Sequence, residues 1–141
     1  MSKLRLHVLF CSRAPPTLNA SFLSVLCKSC SPSPDFTITL FYRPPCSNVC
    51  VLDRLFSTLC NLDVSAFSNF YLIGDFNVNF VCEASPFYSN LLSIVSSFNL
   101  TQVVTEPTRI SSNTATLIDL IFVSRPPLVE SCITNSPTCK L

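Results

Sequence analysis

Asp75 and Asn77 are the residues of this chain best placed to do chemistry. They belong to Gly74-Asp75-Phe76-Asn77, directly behind the apolar run Phe70-Tyr71-Leu72-Ile73, and Gly74 is the only glycine among 141 residues. A carboxylate at the carboxyl end of a strand has its backbone fixed by the sheet and its side chain in a crevice. There it can ligate a magnesium ion or take a proton from a water attacking phosphorus. An amide two residues on can donate to a phosphate oxygen or to that water. An Asx-type turn after a strand uses the same residues without any chemistry.

Three further positions join them. Asp119 is a charge inside the apolar run Leu117 to Val123. Burying it unpaired would cost on the order of several kcal/mol, so it calls for a partner, a crevice or an outward-facing place. One role for a buried carboxylate is to orient a general-base histidine, but the only histidine is His7, far upstream. Tyr42 ends the run Phe36-Thr37-Ile38-Thr39-Leu40-Phe41-Tyr42. Its phenol can donate to a phosphate oxygen, or it is simply a packed rim residue. Thr108 and Arg109 are candidates for contact with a phosphodiester backbone, with a solvated arginine as the plain alternative.

These residues need strands and helices to hold them. Phe36–Tyr42 alternates and is β-branched, which predicts a strand that Arg43-Pro44-Pro45 terminates. Phe22–Cys27 is another apolar run of strand length. Val49, Leu52, Leu55, Phe56 and Leu59 share one helical stripe, with Ser47 or Asn48 as its cap. Phe70–Ile73 reads as a short strand covered on both faces. Ser85-Pro86 opens a second helix, whose face is Phe87, Leu91, Ile94, Val95 and Phe98, and Asn99 ends it. Gln102–Thr105 is a short extended piece, and Leu117–Val123 is a strong strand. Residues 1–21 show no clean period and form a poorly defined segment. Residues 125–141 read as a tail. The order of elements predicts an α/β fold with helices packed on a sheet.

Composition sets the outer limits. The chain is 48% hydrophobic and 12% charged, against roughly 25% charged for an ordinary globular domain. That argues for folding or aggregation and against disorder. With 11 prolines and one glycine, turns fall to Pro, Ser and Asn. The net charge of +1 is no signature of a strong nucleic-acid binder. Nine cysteines leave at least one unpaired in any intramolecular disulfide set. Cys27, Cys30, Cys46 and Cys50 have spacings that a zinc site can use. The preferred reading is reduced thiols, with Cys60 and Cys82 as small buried hydrophobes. The run Leu6–Cys11 is too short for a secretory signal, and without secretion the sequons at Asn19 and Asn99 carry no meaning. No stretch approaches the ~18 apolar residues of a membrane span, and no small-molecule cofactor is indicated.

Taken in order, several segments carry a resemblance. They are Phe41-Tyr42-Arg43-Pro44-Pro45, Leu72-Ile73-Gly74-Asp75-Phe76-Asn77, Phe98-Asn99-Leu100 with Gln102-Val103, Glu106-Pro107-Thr108-Arg109, and Thr116 through Ser124. Over about residues 22–124 the chain resembles the endonuclease/exonuclease/phosphatase family, and within it the apurinic-like endonuclease domain of non-LTR retrotransposons. The resemblance implies a DNase I-like, four-layered α/β sandwich, here partial, and Mg²⁺-assisted nicking of DNA. By position it makes Asp75 the water activator, Asn77 and Tyr42 phosphate contacts, and Asp119 the carboxylate behind a catalytic histidine. Thr108 and Arg109 would lie in a loop near DNA, and the retroelement role implies a nuclear location.

The departures imply an incomplete site. The family's early Asn and metal-binding Glu have no counterpart before Tyr42: the glutamates are Glu83, Glu106 and Glu130. The family's closing Ser-Asp-His segment is also absent from the sequence. The expectation is therefore a truncated domain, inactive by itself, that holds magnesium poorly. Strands of both sheets would be missing, and open edges would favour self-association. A non-catalytic nucleic-acid or protein-binding remnant is the competing reading.

Overall fold

The computed structural model describes residues 4–13, 21–29 and 35–126, the first two stretches as backbone alone. The strands are β1 (Leu4–Arg13), β2 (Ser21–Ser29), β3 (Phe36–Tyr42), β4 (Phe70–Asp75), β5 (Thr101–Gln102), β6 (Arg109–Ile110), β7 (Ala115–Thr116) and β8 (Asp119–Val123). The helices are α1 (Cys50–Asn61) and α2 (Pro86–Ser97). Six strands form one mixed sheet in the order β1-β2-β3-β4-β8-β5, and β6 and β7 form a two-stranded ribbon. β3 and β4 run parallel, joined through α1, and β8 returns antiparallel to β4. The described strands thus gather in one main sheet and a short ribbon.

Alternation divides that sheet into two faces. Thr37, Thr39, Phe41, Phe70, Leu72, Leu120 and Phe122 are buried. The five apolar ones form one core with Val51, Leu52, Leu55 and Leu59 of α1 and Leu91 and Val95 of α2. Each large apolar side chain buried there contributes about 1.5–3 kcal/mol. The opposite face carries Ile38, Leu40, Tyr42, Tyr71, Ile73 and Asp75, where Leu40 and Tyr42 are exposed and the others half-buried.

Several local expectations are corrected. Residues 4–13 form a strand, β1, whose pairing with β2 is irregular between Val8 and Phe10. Neither Ser47 nor Asn48 caps α1: the N-cap is Val49, without a side-chain cap bond. The buried stripe of α1 is Val51, Leu52, Leu55, Thr58 and Leu59, with Val49 and Phe56 exposed. Cys60 and Cys82 are exposed free thiols, as are Cys46 and Cys50. Cys30, Cys132 and Cys139 lie outside the described residues.

The C-terminus of α2 follows the sequence closely. Asn99 adopts the left-handed region at φ 54°. Its N–H donates to the Ser96 carbonyl, and the Leu100 N–H donates to Val95. That is a Schellman closure with asparagine where glycine is usual. Cys46, Asp63, Asn77 and Asn99 all take positive φ. The single glycine is used elsewhere, for space: a Cβ on Gly74 would lie 1.7 Å from the Phe41 carbonyl oxygen.

Candidate active site

The strand register brings three of the candidate residues into one row. Tyr42 of β3 pairs with Asp75 of β4, and Asp75 pairs with Asp119 of β8. Partners across a ladder project to the same face, and neighbouring strands lie ~4.8 Å apart, so the row spans about 10 Å. The row continues in the backbone register through Ser21 of β2 to Arg13 of β1. Tyr42 is exposed, Asp75 half-buried and Asp119 exposed. Asp119 is thus not a buried charge: it is the first residue of β8, at the open end of the sheet.

Phe76 explains why Asp75 and Asn77 are held as they are. Its side chain is fully buried. It meets Phe41 at 4.8 Å and Phe122 at 5.3 Å between ring centroids. Its N–H donates to the Ile118 carbonyl at 2.9 Å. With Phe76 anchored inward, the chain turns sharply, and Asn77 takes φ 46°. The Asp75 Oδ1 accepts the Asn77 N–H at 3.0 Å, so an Asx turn does form here. The Asn77 side-chain Nδ2 donates to the Arg43 carbonyl at 2.7 Å.

The carboxyl of Asp75 titrates above the ordinary aspartate range. Burial is the largest cause, and the nearby Asp119 charge adds to it. The Asn77 N–H and side chain and the Arg109 charge act in the opposite direction. Two like charges directly opposite on adjacent strands repel.

Two side chains that secure the row escaped the sequence reading as structural parts. Thr108 is half-buried, and its Oγ1 accepts the N–H groups of Ile118 at 3.2 Å and Asp119 at 3.1 Å. Asn79 Oδ1 accepts the Leu117 N–H at 3.1 Å. Together they fix the segment entering β8. Arg109 is exposed on β6. A third side chain, Arg43, was legible only as a strand terminator before two prolines, yet it is 3% exposed. Its NH1 donates to the Asn77 carbonyl at 3.0 Å.

His7 is placed away from this row. It pairs with Leu26, which pairs with Thr37, five residues before Tyr42. At about 3.3 Å per residue, that is roughly 17 Å along the strand from the row. Among the described residues no group of three or more His, Cys, Asp or Glu side chains comes together. No described helix is long and apolar enough to cross a membrane.

No family model matches the chain, and no curated protein sequence matches it. Solved structures do. The endonuclease domain of TRAS1, a telomere-specific non-LTR retrotransposon, superposes with a TM-score of 0.61 at 13% identity, over 84% of this chain and 53% of that one. An endonuclease/exonuclease/phosphatase family protein from Bacteroides thetaiotaomicron gives 0.59 at 15% identity, over 84% and 51%. The chain has the endonuclease/exonuclease/phosphatase fold. A beta toxin from Staphylococcus aureus with bound magnesium ions gives 0.52 at 14% identity, over 76% and 43%. The chain therefore spans about half the length of the solved structures with this fold that it matches. The strands that the sequence resemblance relied on, β3, β4 and β8, are adjacent in the sheet.

Proposed function

We propose that Tyr42, Asp75, Asn77 and Asp119 form the phosphate-facing edge of a phosphodiester-hydrolysing endonuclease of retroelement origin. The observation that carries this reading is the single register row of Tyr42, Asp75 and Asp119 at the open end of adjacent strands. Asp75, at the carboxyl end of β4, accepts a hydrogen bond from the attacking water and orients it, while a separate base takes the proton. Asn77 has a second Nδ2 proton left to donate to a phosphate oxygen, and the exposed Tyr42 hydroxyl donates to another. Arg109, whose charge is felt at Asp75, contacts the DNA backbone with Thr108 beside it. Nicked DNA is the product, and action in the nucleus follows from that role.

Magnesium suits this edge only loosely. The ion is bound through one or two carboxylates together with water and substrate phosphate. Asp75 and Asp119 supply two carboxylates, one of which already accepts the Asn77 N–H. When bound, magnesium would neutralise charge developing on the phosphate. The base histidine that Asp119 would orient cannot be His7, which the strand register sets far from the row. Among the described residues this edge has neither a base histidine nor a metal-binding glutamate beside it, and on this reading it works only with both supplied from elsewhere.

Incubation of the purified, folded chain with supercoiled plasmid and Mg²⁺, beside an Asp75→Ala control, tests this. The expected result is no nicking by either protein. Nicking that disappears in Asp75→Ala would overturn the incompleteness and reveal another base. Salt-dependent DNA binding that survives both Asp75→Ala and Asn77→Ala would instead favour a non-catalytic binding module.

A further inference from the structure

Arg43 grips the turn between Asp75 and Asn77 from both its backbone and its side chain. Its N–H donates to the Asp75 carbonyl at 2.9 Å. Its own carbonyl accepts the Asn77 Nδ2 at 2.7 Å. Its NH1 donates to the carbonyls of Asn77 at 3.0 Å and Phe76 at 3.4 Å. NH2 donates to the Ser47 carbonyl at 2.9 Å, tying in the loop that precedes α1. The guanidinium carbon lies 4.4 Å from the centroid of the Phe87 ring, on α2.

A charge buried to this extent is costly, and burial pulls the Arg43 guanidinium below its ordinary pKa. Its Nε has no partner among the described residues. A strand can end before two prolines without any such group, so termination does not explain it. The guanidinium fork does: it reaches carbonyls on two loops at once while stacking on a ring, which a lysine ammonium cannot reproduce. The carbonyls it holds include that of Asn77, whose positive φ is disfavoured for a residue with a side chain.

We propose that Arg43 is a positioning residue for the phosphate-facing edge, holding the Asn77 peptide and directing the Asn77 side-chain amide. The functional half of this inference rests on the reading of Asn77 as a phosphate contact, and the positional half stands on the contacts themselves. With one Nδ2 proton committed to the Arg43 carbonyl, the amide plane is fixed and the second proton has one direction in which to donate.

The test is NMR on the folded chain and on Arg43→Lys. In the wild type, the Asn77 side-chain amide should exchange with solvent at least tenfold more slowly than an exposed asparagine such as Asn61. In Arg43→Lys that protection should fall at least tenfold, and Asp75 should titrate higher as the Asn77 N–H is lost to it. A purely structural arginine would lower the urea midpoint while leaving Asn77 protection and the Asp75 titration unchanged in the folded fraction. That result overturns the proposal. Should Arg43→Lys fail to fold, the wild-type guanidinium protons decide: exchange as fast as in free arginine overturns it, and slow exchange with contacts to Asn77 supports it. Adding a short DNA duplex separates the two claims. If Asn77 depends on Arg43 but ignores DNA, the positioning stands and the phosphate reading falls.

Discussion

Replacing Gly74 by alanine adds a single methyl group and should nonetheless damage this fold severely. The new Cβ would lie 1.7 Å from the Phe41 carbonyl oxygen, 2.7 Å from its carbon and 3.1 Å from the Phe41 nitrogen. Close carbon–oxygen contacts between strands are about 3.3–3.6 Å, so β3 and β4 would have to part by roughly 1.5 Å there. Neither strand is free to yield. Phe41 pairs with Phe22 on its other side, and Gly74 pairs with Leu120. Overpacking of this kind costs about 1–3 kcal/mol, sometimes more, and each lost backbone hydrogen bond adds about 1 kcal/mol. A loss of about 4 kcal/mol is expected, a large share of the roughly 5–15 kcal/mol that holds a domain together. With a urea m-value of about 2 kcal/mol/M, the midpoint would fall by about 2 M. Urea unfolding followed by circular dichroism measures it directly. A Gly74→Ala chain within about 0.3 M of the wild type would refute the β3–β4 register, and with it the pairing of Tyr42 with Asp75.

Asp75→Asn should raise the melting temperature at pH 7. The native Asp75 carboxyl is raised, chiefly by burial, so its ionised form costs stability as pH climbs from about 4 through the native value. At about pH 3 both forms are neutral and the gain should vanish; an unchanged melting temperature at pH 7 would contradict the burial. Thr108→Val removes the acceptor of two backbone N–H groups and should cost about 1–3 kcal/mol, read as a lower urea midpoint with faster amide exchange at Asp119. At Asn99, φ 54° predicts a loss of about 1–2 kcal/mol for alanine and none for glycine, measured by thermal melts of the two variants.

The strands that carry Tyr42 and Asp75 could be read from sequence because they rest on short-range rules. Phe36–Tyr42 alternates, the prolines after Arg43 stop it, and Phe70–Ile73 leads straight into Asp75. What was illegible has physical causes. The irregular pairing of β1 between Val8 and Phe10 breaks the alternation by which a strand is recognised. Two-residue strands such as β6 and β7 are too short to show any period. The α1 stripe was misplaced because Phe56 and Val49 are apolar yet exposed, while Thr58 is polar yet buried. Asp119 was expected within its strand and lies at the strand's first residue, where a carboxylate stays in water. The work of Arg43 was hidden because its bonds reach 33 and 34 residues along the chain, a separation that no local pattern encodes.

The central claim is that the Tyr42–Asp75–Asp119 row faces a phosphodiester. The most direct test is to titrate the folded, isotope-labelled chain with a short DNA duplex in the presence of Mg²⁺ and follow its amide resonances. The account predicts shifts concentrated at Tyr42, Asp75, Asn77 and Asp119, and their loss in Asp75→Ala. Shifts confined to the far end of the sheet around Phe70 and Ser124, or a pattern untouched by Asp75→Ala, would contradict it.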